Sequence, residues 1–176
     1  SPPSTSDIKR LAKLLAQGHA VGWYQGNGEV GPRALGNRSI LLDPRLPDGK
    51  DIMNRIKKRE TYRPFGASVL EEYQHDYFEL AHNDDFMLYT ATVRDTNLSS
   101  ITHVDGTCRV QTLKQNNPIF RELIEEFHAL TGCAVLMNTS LNVSGRPIAG
   151  WRSDAEELFF TTPLRYMVIG NKIMEK

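Results

Sequence analysis

The chain has 176 residues, long enough for one domain with a sizeable core, and its 40% hydrophobic and 24% charged residues are an ordinary globular composition. Lysine plus arginine and aspartate plus glutamate stand at 21 each, so no net charge draws the chain to nucleic acid or to an anionic membrane. No run of about 18 apolar residues appears, and Ser1-Pro2-Pro3 lacks the apolar core of a signal peptide. The expected location is therefore the cytoplasm, and the missing initiator Met is read as the mark of a domain cut from a longer chain.

Residues 1–5 read as a lead-in. Ser6 or Asp7 can cap a helix whose Ile8, Leu11, Ala12 and Leu15 recur at helical spacing, and Gly18 ends it. Residues 20–24 read as a strand. Residues 25–37 form a loop rich in glycine, and residues 39–42 a second strand stopped by Asp43-Pro44. A short helix over about 50–58 turns Ile52, Met53 and Ile56 inward and finishes on Lys57-Lys58-Arg59. Residues 65–70 suit a strand, 71–78 a short helix, 86–93 a weak strand and 108–113 a clearer one after the Asp105-Gly106 turn. The best helix covers about 118–131: Asn117 caps it, Pro118 takes its first turn and Gly132 ends it. Residues 134–137 are a buried strand ending at Asn138-Thr139-Ser140. Ser153 and Glu156 have capping-box spacing for a last helix, and residues 166–170 close the chain as a strand. Helices and strands mix without strict βαβ order. The expected class is α/β of mixed α+β type, a single domain over 1–176 with a twisted mixed sheet and helices packed on it.

Charge is concentrated although the total is balanced. Between Arg33 and Arg63 stand nine basic residues against four acidic ones, which suits a small polyanion better than a long one; a solvated face is the alternative. The loop Gly31-Pro32-Arg33-Ala34-Leu35-Gly36-Asn37-Arg38-Ser39 lets backbone N–H groups approach an anion. Arg33 and Arg38 could converge on it; the alternative is a structural arginine paired with Glu29. There is no Walker lysine, and Pro32 spoils a dinucleotide fingerprint. Lys57-Lys58-Arg59 and Arg63-Pro64 could neutralise charge building at phosphorus, or could merely complement a helix C-terminus. Arg109 opens a strand beside a polar turn. His103 could act as a base or hydrogen-bond Asp105. Asn138 and Ser140, two apart at the end of a strand, can point the same way toward a ligand, or form a simple turn. Cys108 and Cys133 read as small buried hydrophobes, and no metal-ligand spacing is present.

Four ordered blocks carry a resemblance: the Gly31–Ser39 loop, Lys57-x-Arg59-Glu60 with Arg63-Pro64-Phe65, His103-Val104-Asp105-Gly106-Thr107-x-Arg109-Val110-Gln111, and Asn138-Thr139-Ser140. Together they resemble the C-terminal domain of the ATP-dependent O-carbamoyltransferases of the nodulation and antibiotic-tailoring type. The resemblance runs from about Ala20 to Lys176. It implies a YrdC-like fold, and a transferase domain that turns ATP and carbamoyl phosphate into carbamoyl-adenylate with release of phosphate and pyrophosphate. It implies Arg33 and Asn138 on carbamoyl phosphate, with Asn138 at the carbamoyl group. It places Arg63 and Arg109 on the ATP phosphates, Ser140 on the nucleotide, and Lys57 and Arg59 as the catalytic Lys-x-Arg. ATP, which Mg2+ can accompany, is the expected cofactor, with no metal held by this domain. Iron is expected only on a separate N-terminal Kae1-like domain of the same polypeptide, which passes the carbamoyl group to an acceptor hydroxyl. Two departures are visible: Gly66-Ala67 where Ala-Pro is usual, and Leu141 where Phe is common. Neither removes a phosphate ligand. The competing readings are an RNA-binding module, which lacks basic–aromatic interleaving here, and a nucleotide sensor without turnover.

Overall fold

The computed structural model describes residues 1–26, 35–59, 63–79 and 89–176. Helices are α1 (Thr5–Ala16), α2 (Gly49–Lys57), α3 (Gln74–Tyr77), α4 (Pro118–Thr131) and α5 (Arg152–Thr161). Strands are β1 (Val21–Tyr24), β2 (Arg38–Leu42), β3 (Gly66–Leu70), β4 (Phe78–Glu79), β5 (Tyr89–Val93), β6 (Thr107–Leu113), β7 (Val135–Ser140), β8 (Tyr166–Ile169) and β9 (Lys172–Glu175). Among the described residues they form one mixed sheet in the order β4-β5-β6-β3-β7-β2-β1-β8-β9. The β1–β8 and β3–β6 pairs are parallel and the other pairs antiparallel.

The mixed sheet with packed helices is as expected from the alternation of elements, and the differences are local. The Ser4 hydroxyl, not Ser6 or Asp7, caps α1, accepting from the Asp7 N–H at 3.1 Å. Asp7 then falls in the first turn, where its charge complements the helix dipole. The cap of α5 also shifts: the Trp151 N–H donates to the Asp154 carboxylate at 2.9 Å, while Glu156 takes Arg152 at 2.7 Å. Residues 71–78 are not one helix but a 3-10 turn (Glu71–Tyr73) and α3, because Phe78 leaves to pair with Val93. The weak strand expected from residue 86 is seen as β5, and 86–88 lie outside the described residues. β7 runs to Ser140, three residues past Met137, because ladders on its flanks keep pairing it: Asn138 with Leu41 and Gly66, Ser140 with Ser39. β9 was not expected; its exposed Lys172 and Glu175 flank the half-buried Ile173 and Met174, and it pairs only with β8, as suits an edge strand.

Pairing sorts the side chains onto two faces. Trp23, Ser39, Ser140, Asn138, Gly66, Ser68, Arg109 and Gln111 share one face by register. α4 packs there, with Phe120 6.1 Å from the Trp23 ring, and α1 packs along α4. Leu42 lies on the other face, and α2 starts against it at Gly49. Ile8, Leu11, Leu15, Phe120, Leu123, Ile124 and Phe127 are fully buried between helices and sheet. Each such side chain contributes roughly 1.5–3 kcal/mol of burial. Among the described residues no helix is long and apolar enough to cross a membrane.

Candidate functional site

A cavity of about 360 Å³ opens where β3 and β6 begin and β7 ends. Lys57, Arg59, Arg63, Arg109, Asn138 and Ser140 all line it, with Asn142 and the turn at Ser144-Gly145 closing the rim. Residues from four separate stretches of the chain thus meet in one hollow. Arg33 lies outside the described residues. No carboxylate stands among the described lining residues, so the wall carries only positive charge.

Lys57 is the last residue of α2, and it points inward. It is 2% exposed, and its Nζ donates to the Ser140 carbonyl (2.6 Å), Ser140 Oγ (3.1 Å) and Asn142 Oδ1 (2.8 Å). Three acceptors suit the three protons of an ammonium. Burial, and then the charges of Arg59 and Arg63, oppose that ammonium and bring Lys57 down to about 7. A solvated helix end therefore describes Lys58, which is exposed, and not Lys57. Lys58 adopts a left-handed backbone (φ 53°), which ends α2 and lets successive side chains diverge. Arg59 is held by Asn54 Oδ1 (3.2 Å) and the Pro64 carbonyl (2.9 Å), with its guanidinium 4.1 Å from the Phe65 ring centroid. Burial, followed by Arg63, lowers it to about 10.

β-sheet register sets the other half of the wall. Gly66 pairs with Asn138 on one side and Arg109 on the other, so a residue without a side chain separates the two. Asn138 is buried and its Nδ2 donates to Ser68 Oγ at 3.0 Å. Ser140 Oγ donates to Asn142 Oδ1 at 2.5 Å, and Asn142 Nδ2 donates to the Arg146 carbonyl at 2.5 Å. Asn142 thus gathers Lys57, Ser140 and the turn after β7. Its position two residues beyond Ser140 was the available signal, and no role was drawn from it.

Two expectations change. Arg38 does not join the cavity wall: it is buried on β2, donates to the carbonyls of Gln25 and Gly26, and stacks 3.7 Å over Tyr24, tying the start of β2 to the end of β1. His103 does not line the cavity either, and its main chain closes a turn with Thr107 and Gly106. The Asp105 carboxylate accepts from Thr107 rather than from the His103 ring. Asn138 and Ser140 sit on β7, two apart on one face as read, and not in the alternative turn. The cysteines are free and buried, as read; burial pushes the Cys133 thiol up to about 11 and the Cys108 thiol higher still. Among the described residues no group of three or more His, Cys, Asp or Glu could hold a metal ion.

Comparison with known proteins gives this geometry a context. The nodulation protein NolNO of Sinorhizobium fredii is 46% identical over 175 residues, covering 95% of this chain and 26% of that protein. The 3'-hydroxymethylcephem-O-carbamoyltransferase of Amycolatopsis lactamdurans is 40% identical over 163 residues, covering 92% of this chain and 31% of that protein. The chain therefore spans between a quarter and a third of these relatives. Among solved structures, Sua5 of P. abyssi in complex with L-threonine superimposes with a TM-score of 0.73 at 14% identity, over 96% of this chain and 48% of that one. Full-length HypF in its phosphate- and nucleotide-bound form gives 0.66 at 22%, over 87% and 19%. These two likenesses show a shared Sua5/YrdC-like fold. The family description Carbamoyltransferase C-terminus matches residues 12–176, and the chain belongs to that family.

Proposed function

We propose that this chain binds ATP and carbamoyl phosphate in the cavity at the end of β7 and forms carbamoyl-adenylate there. The observation that carries the reading is the convergence of Lys57, Arg59, Arg63 and Arg109 on one hollow without a facing carboxylate among the described residues. Two polyanions repel each other in water, and a wall of fixed cations offsets that repulsion. Loss of phosphate from carbamoyl phosphate to water leaves carbamate and inorganic phosphate. A carbamate oxygen that bonds the α-phosphorus of ATP expels pyrophosphate, so the atoms balance.

Arg63 and Arg109 hold the ATP phosphates, Ser140 the nucleotide and Asn138 the carbamoyl group. Arg33, which lies outside the described residues, serves carbamoyl phosphate. Lys57 and Arg59 neutralise charge as the adenylate forms. Positioning and electrostatics supply the rate, with no protein nucleophile required. Mg2+ enters with the nucleotide. Transfer to an acceptor hydroxyl belongs to a separate Kae1-like domain of a longer polypeptide, consistent with how small a share of its relatives this chain spans.

Titration calorimetry with ATP and with carbamoyl phosphate tests the binding. Arg63→Ala and Arg109→Ala each weaken ATP by about 10- to 100-fold, the worth of a charge-assisted contact. Pyrophosphate release from both substrates separates an activating enzyme from a nucleotide sensor. A folded sample that binds neither ligand, or that instead shifts RNA tightly and in a salt-dependent manner, overturns the proposal.

A further inference from the structure

Arg59 is fastened to its surroundings, and the other arginines of the described cavity wall are not. Its Nε donates to Asn54 Oδ1 (3.2 Å), its Nη2 donates to the Pro64 carbonyl (2.9 Å), and its guanidinium lies 4.1 Å from the Phe65 ring centroid. Its main-chain N–H donates to the Asn54 carbonyl at 3.1 Å. Asn54 therefore grips both the backbone and the side chain of Arg59. Arg63 and Arg109 are exposed, and among the described residues neither side chain makes a hydrogen bond.

Asn54 itself stays out of the cavity. It sits one turn before Lys57 on α2, is 4% exposed and does not line the wall. A guanidinium N–H can only donate, so the end of the amide that meets Arg59 must be the oxygen. The other end, Nδ2, is buried without a hydrogen-bond partner among the described residues. A buried donor left unpaired costs stability, and asparagine is a weaker helix former than leucine. The residue is thus a poor choice for holding α2 together, and its oxygen is the part with a task. Nε and Nη2 lie on one edge of the guanidinium. The two oxygens that take them fix its plane, and Nη1 is left without an acceptor among the described residues.

We infer that Asn54 is a positioning residue, which holds the Arg59 guanidinium in place on the cavity wall before an anion arrives. The inference rests on reading this cavity as the place where carbamoyl-adenylate forms. An arginine free in solvent has several rotatable bonds to order when charge develops at phosphorus. One that its neighbours already hold lost that freedom on folding, and it stabilises the charge without rearranging. Asn54 acts through Arg59 and touches no substrate.

Pyrophosphate release by the 176-residue chain from ATP and carbamoyl phosphate tests the role. Asn54→Leu, similar in size and free of the unpaired donor, should keep the fold by circular dichroism and lower kcat about tenfold, while KM for ATP stays within about threefold. Asn54→Ala should do the same, and it covers the case in which leucine is not accommodated. In an Arg59→Lys background no Nε–H exists for Asn54 to hold, so Asn54→Leu should change kcat by less than about twofold there. A mere loosening of α2 would add its loss in both backgrounds, and such additivity overturns the inference. The Arg59 Nε–H signal in ¹⁵N NMR needs no ligand: slow exchange with water in wild type and fast exchange in both Asn54 variants support the hold, and equal exchange refutes it. A wild type that releases no pyrophosphate sinks the carbamoyl-adenylate reading and the role of Asn54 with it; an active wild type with additive losses sinks the inference alone.

Discussion

At the scale of single residues, Lys57 combines burial with three hydrogen-bond acceptors. Its ordinary value of 10.5 falls to about 7 through burial and the nearby arginines. At pH 8 the free cavity then holds mostly the amine. An arriving phosphate favours the ammonium, so binding takes up a proton, and affinity falls as pH rises above about 7. Calorimetry of ATP binding in buffers of different ionisation enthalpy should show uptake approaching one proton per ligand near pH 8 and fading below about pH 6, where Lys57 is already charged. Lys57→Met should abolish that buffer dependence; a wild type with none would refute the coupling. The basic run was legible in the sequence, but not the division of labour within it. Lys57 and Lys58 are the same residue type, and only the left-handed turn at Lys58 sends one into the cavity and leaves the other in solvent.

At the scale of elements, local signals located α4 well. Asn117 accepts from the Phe120 N–H, Pro118 opens the helix and Gly132 ends it at φ 77°, all within the segment itself. The ends of β7, α5 and β9 were poorly legible because they depend on partners remote in sequence. Asn-Thr-Ser reads as the place where the strand stops until Gly66 and Ser39 pair with it. Gly36 shows how an element junction can depend on such contact. It sits at φ 102°, and a Cβ there would come 2.5 Å from a ring carbon of Phe120 on α4. Its carbonyl meanwhile accepts from the Trp23 indole at 2.8 Å. Gly36→Ala combines backbone strain with a clash against a buried ring, so it should cost about 2–4 kcal/mol. Urea unfolding measures this, and a loss under about 1 kcal/mol would show that Phe120 can move aside.

At the scale of the whole molecule, one sheet joins every described strand, so its two ends should lose structure together. The two tryptophans allow a check: Trp23 is fully buried, while Trp151 is 77% exposed. In Trp151→Phe, fluorescence reports Trp23, and its urea transition should coincide with that of the backbone circular dichroism. Two separate midpoints would mean that parts of the sheet unfold independently. The family could be read from the residues because its blocks are local, and most of the blocks on which the proposed site rests were visible one at a time. The meeting of Arg63, Arg109, Lys57 and Ser140 could not be read in that way. Nor could the hydrogen bonds that run from Asn138 to Ser68 and on to Gln111. Composition and short-range spacing determined the family and the approximate places of most helices and strands. Strand register and helix packing decided which side chains meet, because contacts between residues tens of positions apart follow from burial of a shared core and leave no mark in any one segment.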